Sequence, residues 1–424
     1  MTYLDAFLAA VQDAYDPEDN PAGHVVLAVA ENKRSHEHFL EQMREASSSG
    51  GSGAAGSGPP PECMGYDDMR GIGRLRTALA ALLRRTFLPV ATEERLTISA
   101  GCGAIIENVA FLTCSPGDAV LIPAPFYPAF VNDLSVRAAV VPWAVAASEH
   151  NPGGRHVPTV RDLEEAAEAA EKAGHPVRVL LLTNPSNPLG VVWDADAMAT
   201  MIKWCLRRGV HCVSDEIYAL SIFDEAAASH FVSAAVLAER EDVRAEGDAE
   251  NLVHVVWGLS KDFCGSGLRV GCLWSQNEAL NTAMNNVSYF CAVGNYQQHV
   301  LAAALEAEEA TDAFLAANRA RLRQAAELVC AGLEEAHVPF VRPEAGMFVW
   351  VDLRGALRAQ SAEGERALWQ ELLDSKKLLL TPGQDCRGSQ PGWFRCCFAA
   401  VPEAAVREGV QRLGQFVKDE AKRF

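Results

Sequence analysis

Three apolar runs of strand length constrain this chain most, because each is followed at once by a polar residue suited to chemistry. Residues 177–182 run into Asn184-Pro185-Ser186-Asn187-Pro188-Leu189-Gly190, residues 210–213 into Asp215-Glu216-Ile217-Tyr218, and residues 252–257 into Ser260-Lys261-Asp262-Phe263. In an open α/β sheet, ligands bind outside the carboxyl ends of strands, so this order sets an amide, a carboxylate and an amine around one crevice. Helical patterns lie between the apolar runs, over 75–83, 104–112, 161–173 (ended by Gly174) and 195–208, with further strands expected at 96–99, 119–122, 138–141 and 270–274. The alternation predicts an α/β fold with a mostly parallel sheet and helices on both faces. After about residue 296 the pattern changes to long helices over 300–336, a strand at 348–352 and helices at 363–374 and 402–419, which predicts a smaller α+β domain.

Lys261 stands just past a strand end, with the glycine-rich turn Cys264-Gly265-Ser266-Gly267 and then Arg269 behind it. An amine so placed can form a Schiff base with an aldehyde cofactor, and a guanidinium can grip that cofactor's phosphate. Read singly, Lys261 is a surface lysine beside a loop, Asn-Pro a turn signal and Asp215 a helix N-cap. Together they match the needs of pyridoxal 5'-phosphate. A carboxylate (Asp215) keeps the pyridine nitrogen protonated, an amide and a phenol (Asn187, Tyr218) hydrogen-bond the ring hydroxyl, and a lysine carries the aldehyde. The turn Ser99-Ala100-Gly101-Cys102-Gly103-Ala104, between a strand and a helix, offers small residues and free amides to a phosphate.

These motifs resemble the fold-type-I pyridoxal-phosphate enzymes of the class I/II aminotransferase group, over about residues 30–399. Within that group the chain looks most like aminocyclopropane-carboxylate synthases and synthase-like proteins. Ala30-Glu31-Asn32-Lys33 resembles a synthase segment whose glutamate is catalytic. Pro123-Ala124-Pro125-Phe126-Tyr127-Pro128-Ala129-Phe130 resembles the segment with the ring-stacking tyrosine, and Pro391-Gly392-Trp393-Phe394-Arg395-Cys396-Cys397-Phe398-Ala399 the segment with the carboxylate-binding arginine. The resemblance implies a seven-stranded sheet and a homodimer with shared active sites. It implies catalytic roles for Lys261, Asp215, Glu31 and Tyr218, and cofactor contacts from Lys261, Asn187, Asp215, Tyr218, Tyr127, Gly103, Ala104, Ser260 and Arg269. Substrate contacts fall to Arg395 and Glu31. It also implies an N-terminal segment 1–60 associated with the small domain, a large cofactor-binding domain over 61–295 and the small domain over 296–424. The Gly/Ser/Pro-rich stretch 47–61 is expected to be a flexible surface loop. Three positions depart from the family pattern. Ala104 stands where relatives carry a hydroxyl residue, Gly258 where they carry serine, and Met69 where synthases place a tyrosine that serves the partner subunit's site. Arg70 is a candidate substitute for these lost donors.

The expected chemistry is removal of the α-proton of an amino acid by Lys261, with Arg395 holding its carboxylate. In the synthase reading the substrate is S-adenosylmethionine, and α,γ-elimination or a related γ-substitution releases methylthioadenosine. The alternatives are an aminotransferase and a binding protein that has lost catalysis. The formal net charge of -18 argues against nucleic acid and anionic membranes as partners. No signal peptide or membrane span is visible, and twelve cysteines scattered partly through apolar stretches suit a reducing, cytoplasmic compartment. Cys63, His36 and His38 lack the spacing of a metal site, and none is expected.

Overall fold

Strand residues of alternate parity drive the architecture. The protein, described here as a computed structural model over residues 3–49, 61–147 and 156–421, builds a seven-stranded sheet. Its strands are β1 (Leu96–Ser99), β2 (Ala119–Ala124), β3 (Val141–Ala146), β4 (Val177–Thr183), β5 (His211–Asp215), β6 (Val253–Gly258) and β7 (Gly271–Ser275). They lie in the order β1-β7-β6-β5-β4-β2-β3. Only β7 is antiparallel to its neighbours. Successive side chains leave a strand on opposite faces. Val120, Ile122, Val179 and Leu181 therefore enter one core, with the helices Cys102–Thr113, Phe130–Ser135 and Glu278–Ser288. Ala119, Leu121, Leu180 and Leu182 enter the other, with the helices Gly73–Thr86, Val160–Lys172 and Ala195–Arg208. Burial on both faces explains why the central strands read as continuous apolar runs.

A second, antiparallel sheet holds β8 (Phe340–Val341), β9 (Phe348–Asp352), β10 (Thr381–Pro382) and β11 (Trp393–Cys397) in the order β10-β11-β9-β8. The N-terminal segment laces onto it. Val25–Val26 pairs in parallel with Leu378–Leu379, and Cys397 donates its amide to the Leu27 carbonyl at 2.7 Å. This lacing brings residues 28–33 to the sheet that carries Arg395.

The expected strand at 138–141 is displaced, for β3 starts at Val141, after Ala139 adopts a left-handed φ of 52°. β3 is an edge strand, where Pro142 is tolerated although it has no amide to donate. The long helices expected over 300–336 are Asn295–Glu306 and Glu308–Glu335, the first starting five residues earlier. Of the expected loop 47–61, residues 47–49 end the helix His36–Ser49 and Pro61 opens a 3-10 turn, while 50–60 lie outside the described residues.

At the amino ends of β5 and β6 lies a buried polar chain. His211 Nδ1 meets His254 Nε2 at 2.9 Å, and His254 Nδ1 meets Ser275 Oγ at 2.9 Å. Burial pushes His254 down to about 3 and also lowers His211. The folded state therefore binds fewer protons than the unfolded chain, whose histidines titrate near about 6.5. The pair's contribution is complete above that pH and is lost as pH falls toward about 3, with a limiting slope of about 1.4 kcal/mol per pH unit for each histidine. Glu216 and Asp262, pushed up to about 7 by burial, slope the other way. The informative quantity is thus a difference. Between pH 6.5 and 4, urea unfolding of wild type is expected to lose more stability than His254→Gln; parallel curves would show that the pair does not titrate as described.

Candidate active site

The carboxyl ends of β4, β5 and β6 face strands of the small sheet, and the polar residues converge there. Arg395, on β11, is 4% exposed. Its Nη1 donates to Asn187 Oδ1 at 2.9 Å, and its Nη2 to the Ala28 carbonyl at 3.0 Å and Thr381 Oγ1 at 3.2 Å. Its Nε has no hydrogen-bond partner, and no carboxylate among the described residues pairs with it. The Phe348 ring lies beneath the guanidinium at 4.6 Å. A buried cation matched only by dipoles and a ring is costly unless an anion completes it, so the position is prepared for a ligand carboxylate. Asn187 Nδ2 donates to Tyr218 Oη at 3.2 Å, and the Tyr218 ring stands edge-on to Phe348 at 5.8 Å.

Asp215 ends β5 and is buried, and the hydrogen bond its side chain receives comes from the Ile217 amide at 3.3 Å. Burial pushes its carboxyl up to about 7, against the pull of the Ile217 amide and the Lys261 charge. Lys261 sits in the one-turn helix Leu259–Asp262 directly after β6. Part of the residue is solvent-accessible, yet protein packs densely around it, and its ammonium donates to the Ala30 carbonyl. Burial lowers its pKa, and the Arg395 charge adds to the effect.

At the other end of the crevice, Gly101 precedes the helix Cys102–Thr113 with φ 91°. A Cβ there would stand 2.5 Å from Arg269 Nη2, so only glycine lets the backbone approach the guanidinium. Arg269 itself donates to the Ser266 and Ala100 carbonyls at 2.9 and 3.3 Å. The amides of Cys102, Gly103 and Ala104 open the helix and find no acceptor among the described residues. Tyr127 stands edge-on to Phe130 at 5.3 Å, and burial raises its phenol. It lies within electrostatic reach of Asp215, Arg395 and Arg269. Ser260 is buried, and its carbonyl accepts from the Ser266 hydroxyl at 2.9 Å. Glu31 reaches the rim of the crevice, with its carboxylate paired to Lys33 at 3.1 Å. Arg70 does not substitute in the cradle, for its guanidinium is committed to Asp68 at 3.0 and 3.3 Å.

Three neighbours of the site were not singled out in the sequence. Thr381 and Phe348 touch Arg395 from other strands, and no local pattern marks them. Asp133 places both carboxylate oxygens 3.7 Å from where a Gly103 Cβ would be, and burial with repulsion from Glu107 pushes it up to about 6. It lies only a few residues past the Tyr127–Phe130 segment, which was the available signal.

The comparisons with known proteins agree with this geometry. Residues 23–413 match the family model for aminotransferase class I and II. The chain is 38% identical to 1-aminocyclopropane-1-carboxylate synthase 4 of Oryza sativa subsp. japonica, over 98% of this chain and 86% of that protein. It is 34% identical to 1-aminocyclopropane-1-carboxylate synthase 7 of Arabidopsis thaliana, over 100% and 93%. A double mutant of Thermus thermophilus aspartate aminotransferase shares the fold with a TM-score of 0.77 at 21% identity, over 98% and 96% of the two chains. An aromatic aminotransferase from Pyrococcus horikoshii does so with 0.77 at 19%, over 99% and 100%. The chain belongs to the class I and II aminotransferase family, whose members are enzymes dependent on pyridoxal phosphate. The residues present fit that cofactor: free amides and a guanidinium suit the phosphate, the buried Asp215 forms no ion pair among the described residues, and Lys261 lies within electrostatic reach of it.

Gly258 explains one departure from the family pattern. A Cβ there would stand 2.8 Å from the Val270 carbonyl and 2.9 Å from Cys102 Sγ, so backbone and thiol together already fill the space. Gly258→Ser is expected to lower stability by about 1–3 kcal/mol, as overpacking does, and Cys102→Gly should recover part of it. Denaturation of the single and double variants checks this; full stability of Gly258→Ser alone would show that the backbone yields freely.

Proposed function

We propose that this chain is a synthase-type lyase that forms aminocyclopropane carboxylate and methylthioadenosine from S-adenosylmethionine. The observation that carries amino-acid chemistry at this site is a buried guanidinium without a carboxylate partner among the described residues, Arg395, within electrostatic reach of a lysine whose amine burial has made less basic. The likeness to curated synthases along the whole chain supports the choice of reaction.

When bound, pyridoxal phosphate supplies an aldehyde for the substrate amine and a ring that accepts the electron pair left at the α-carbon. The Cys102, Gly103 and Ala104 amides with Arg269 would hold its phosphate, Asp215 its ring nitrogen, Asn187 and Tyr218 its hydroxyl, and Tyr127 its face. Arg395 binds the substrate carboxylate and so fixes which bond at the α-carbon faces Lys261. Lys261 Nζ takes the α-proton, and its lowered pKa keeps more of the amine free to do so. The carbon–hydrogen bond breaks, the α-carbon bonds to the γ-carbon, and the γ-carbon–sulfur bond breaks with its electron pair leaving on methylthioadenosine.

The aminotransferase reading uses the same lysine and arginine, and one observation favours it. Glu31, in one of the three segments that resemble the synthases, is paired to Lys33, although it stays within electrostatic reach of Lys261. Incubation with S-adenosylmethionine, and separately with amino acid plus keto acid, decides between them. Methylthioadenosine release is expected, impaired far more than substrate binding in Glu31→Gln. Keto-acid exchange without methylthioadenosine would overturn the synthase reading.

We also infer a homodimer whose sites adjoin the second copy. Tyr66 is 89% exposed and Phe290 80%, and with Met64 and Tyr289 they form an uncovered apolar face. That face borders the cradle, since Ala100 donates to the Cys291 carbonyl and Asn295 Nδ2 to the Gly65 carbonyl, both at 2.9 Å. The free thiols, twelve in all, support a reducing, cytoplasmic location. Met69→Tyr should tighten cofactor binding by about 1.5–3 kcal/mol, the worth of a hydrogen bond to a charged group, and only above the dimer dissociation concentration. Unchanged affinity in a protein that sediments as a dimer would refute a shared site.

A further inference from the structure

The turn that carries Lys261 is held only in part by its own loop, where the Leu259 carbonyl accepts the Phe263 and Gly265 amides at 3.3 and 3.1 Å and the Lys261 carbonyl accepts the Cys264 amide at 3.3 Å. One helical turn is far shorter than the length at which helices persist alone, and its last carbonyls lack partners within the helix. Two asparagines from distant parts of the chain add side-chain donors, one beside the Cys264 amide at the Lys261 carbonyl and one at the Asp262 carbonyl. Asn32 Nδ2 donates to the Lys261 carbonyl at 3.3 Å and to Asn318 Oδ1 at 3.0 Å, while Asn318 Nδ2 donates to the Asp262 carbonyl at 3.0 Å. Asn32 Oδ1 in turn accepts the Arg34 amide at 3.0 Å, and Asn318 Oδ1 also receives Cys264 Sγ at 3.7 Å. The two residues are 1% and 0% exposed. Asn318 lies within the 28-residue helix Glu308–Glu335, away from both ends, where asparagine serves neither as cap nor as surface group. On the other side of the turn, the Asp262 carboxylate accepts the Leu220 amide at 3.0 Å, Ser221 Oγ at 2.5 Å and Trp257 Nε1 at 2.8 Å.

We propose that Asn32 and Asn318 form a two-amide clamp that positions Lys261, fixing the successive carbonyls of its turn to the N-terminal segment and to the long helix. Neither residue touches substrate or cofactor; both act through the backbone that aims the amine. Asn32 is two residues from Ala30, whose carbonyl receives the Lys261 ammonium, so the clamp and the amine's resting place share one segment. With the donors and acceptors of both amides engaged, their orientations are locked, as a supporting shell requires. The proposal rests on Lys261 being the cofactor lysine.

The test uses the holoenzyme with Asn32→Ala, Asn318→Ala and both together. The absorbance of the Lys261-linked cofactor is titrated against pH without substrate, borohydride trapping locates the linked lysine, and steady-state kinetics separate kcat from KM. Each single variant is expected to move the titration midpoint by about 0.5 unit or more and to lower kcat between about tenfold and a hundredfold. KM should stay within about threefold, and the double variant should be no worse than the more severe single one, as for a single unit. An unmoved midpoint and unchanged kcat, with only a lower melting temperature, would overturn the clamp and leave a structural contact. An adduct trapped on another lysine in wild type would overturn the site assignment itself, which is a separate outcome. If Asn318→Ala does not fold, Asn32→Ala gives the same readouts at the adjoining carbonyl.

Discussion

Desolvation of the Arg395 guanidinium is the constraint on which the rest of the site depends. A cation sunk to this depth must be matched by something, and here the match is divided among Asn187, Thr381, the Ala28 carbonyl and the Phe348 ring. Those partners come from the loop after β4, two strands of the small sheet and the N-terminal segment. Each element must reach its place for the charge to be tolerated at all. The same burial that makes Arg395 hungry for an anion raises Asp215 and lowers Lys261. Acid and base character thus arise from one shared environment, which is how functional sites usually come by their perturbed groups.

The N-terminal segment has more influence than its two-residue strand suggests. It runs beside Leu378–Leu379 and β11, offers the Ala28 carbonyl to Arg395 and the Ala30 carbonyl to Lys261, and sends Asn32 beneath the lysine's turn. Arg395 and Lys261 are therefore referenced to the same few residues of backbone.

Much of this was legible in the sequence for a physical reason. Strand ends carry the chemistry in open sheets, so Asn187, Asp215 and Lys261 could be found from local apolar runs alone. The helix 195–208 and the strand at 348–352 were read to the residue because Asp194, Gly209 and the apolar run mark their limits locally. The strand at β3 was misplaced because an edge strand containing Pro142 lacks the continuous apolar pattern of the buried ones. Thr381 and Asn318 were invisible for another reason. Their partners lie 14 and 286 residues away, and nothing near them in the chain announces the contact. Arg70 shows the converse failure, where a plausible charge in the right motif is captured by Asp68, two residues away.

The contact between Cys102 and Gly258 has a consequence for how such a cradle can change over generations. With the thiol, beside the Val270 and Gly271 backbone, occupying the space that a side chain at 258 needs, the two positions are not free to vary separately. A lineage that carries Cys102 cannot gain a hydroxyl at 258 by one tolerated step; vacating position 102 removes the side-chain contact, and the backbone at Val270 and Gly271 must shift as well. The reverse path is blocked in the same way. Two neighbouring residues thereby act as a ratchet, so a chain that has exchanged one cradle for the other would tend to keep it.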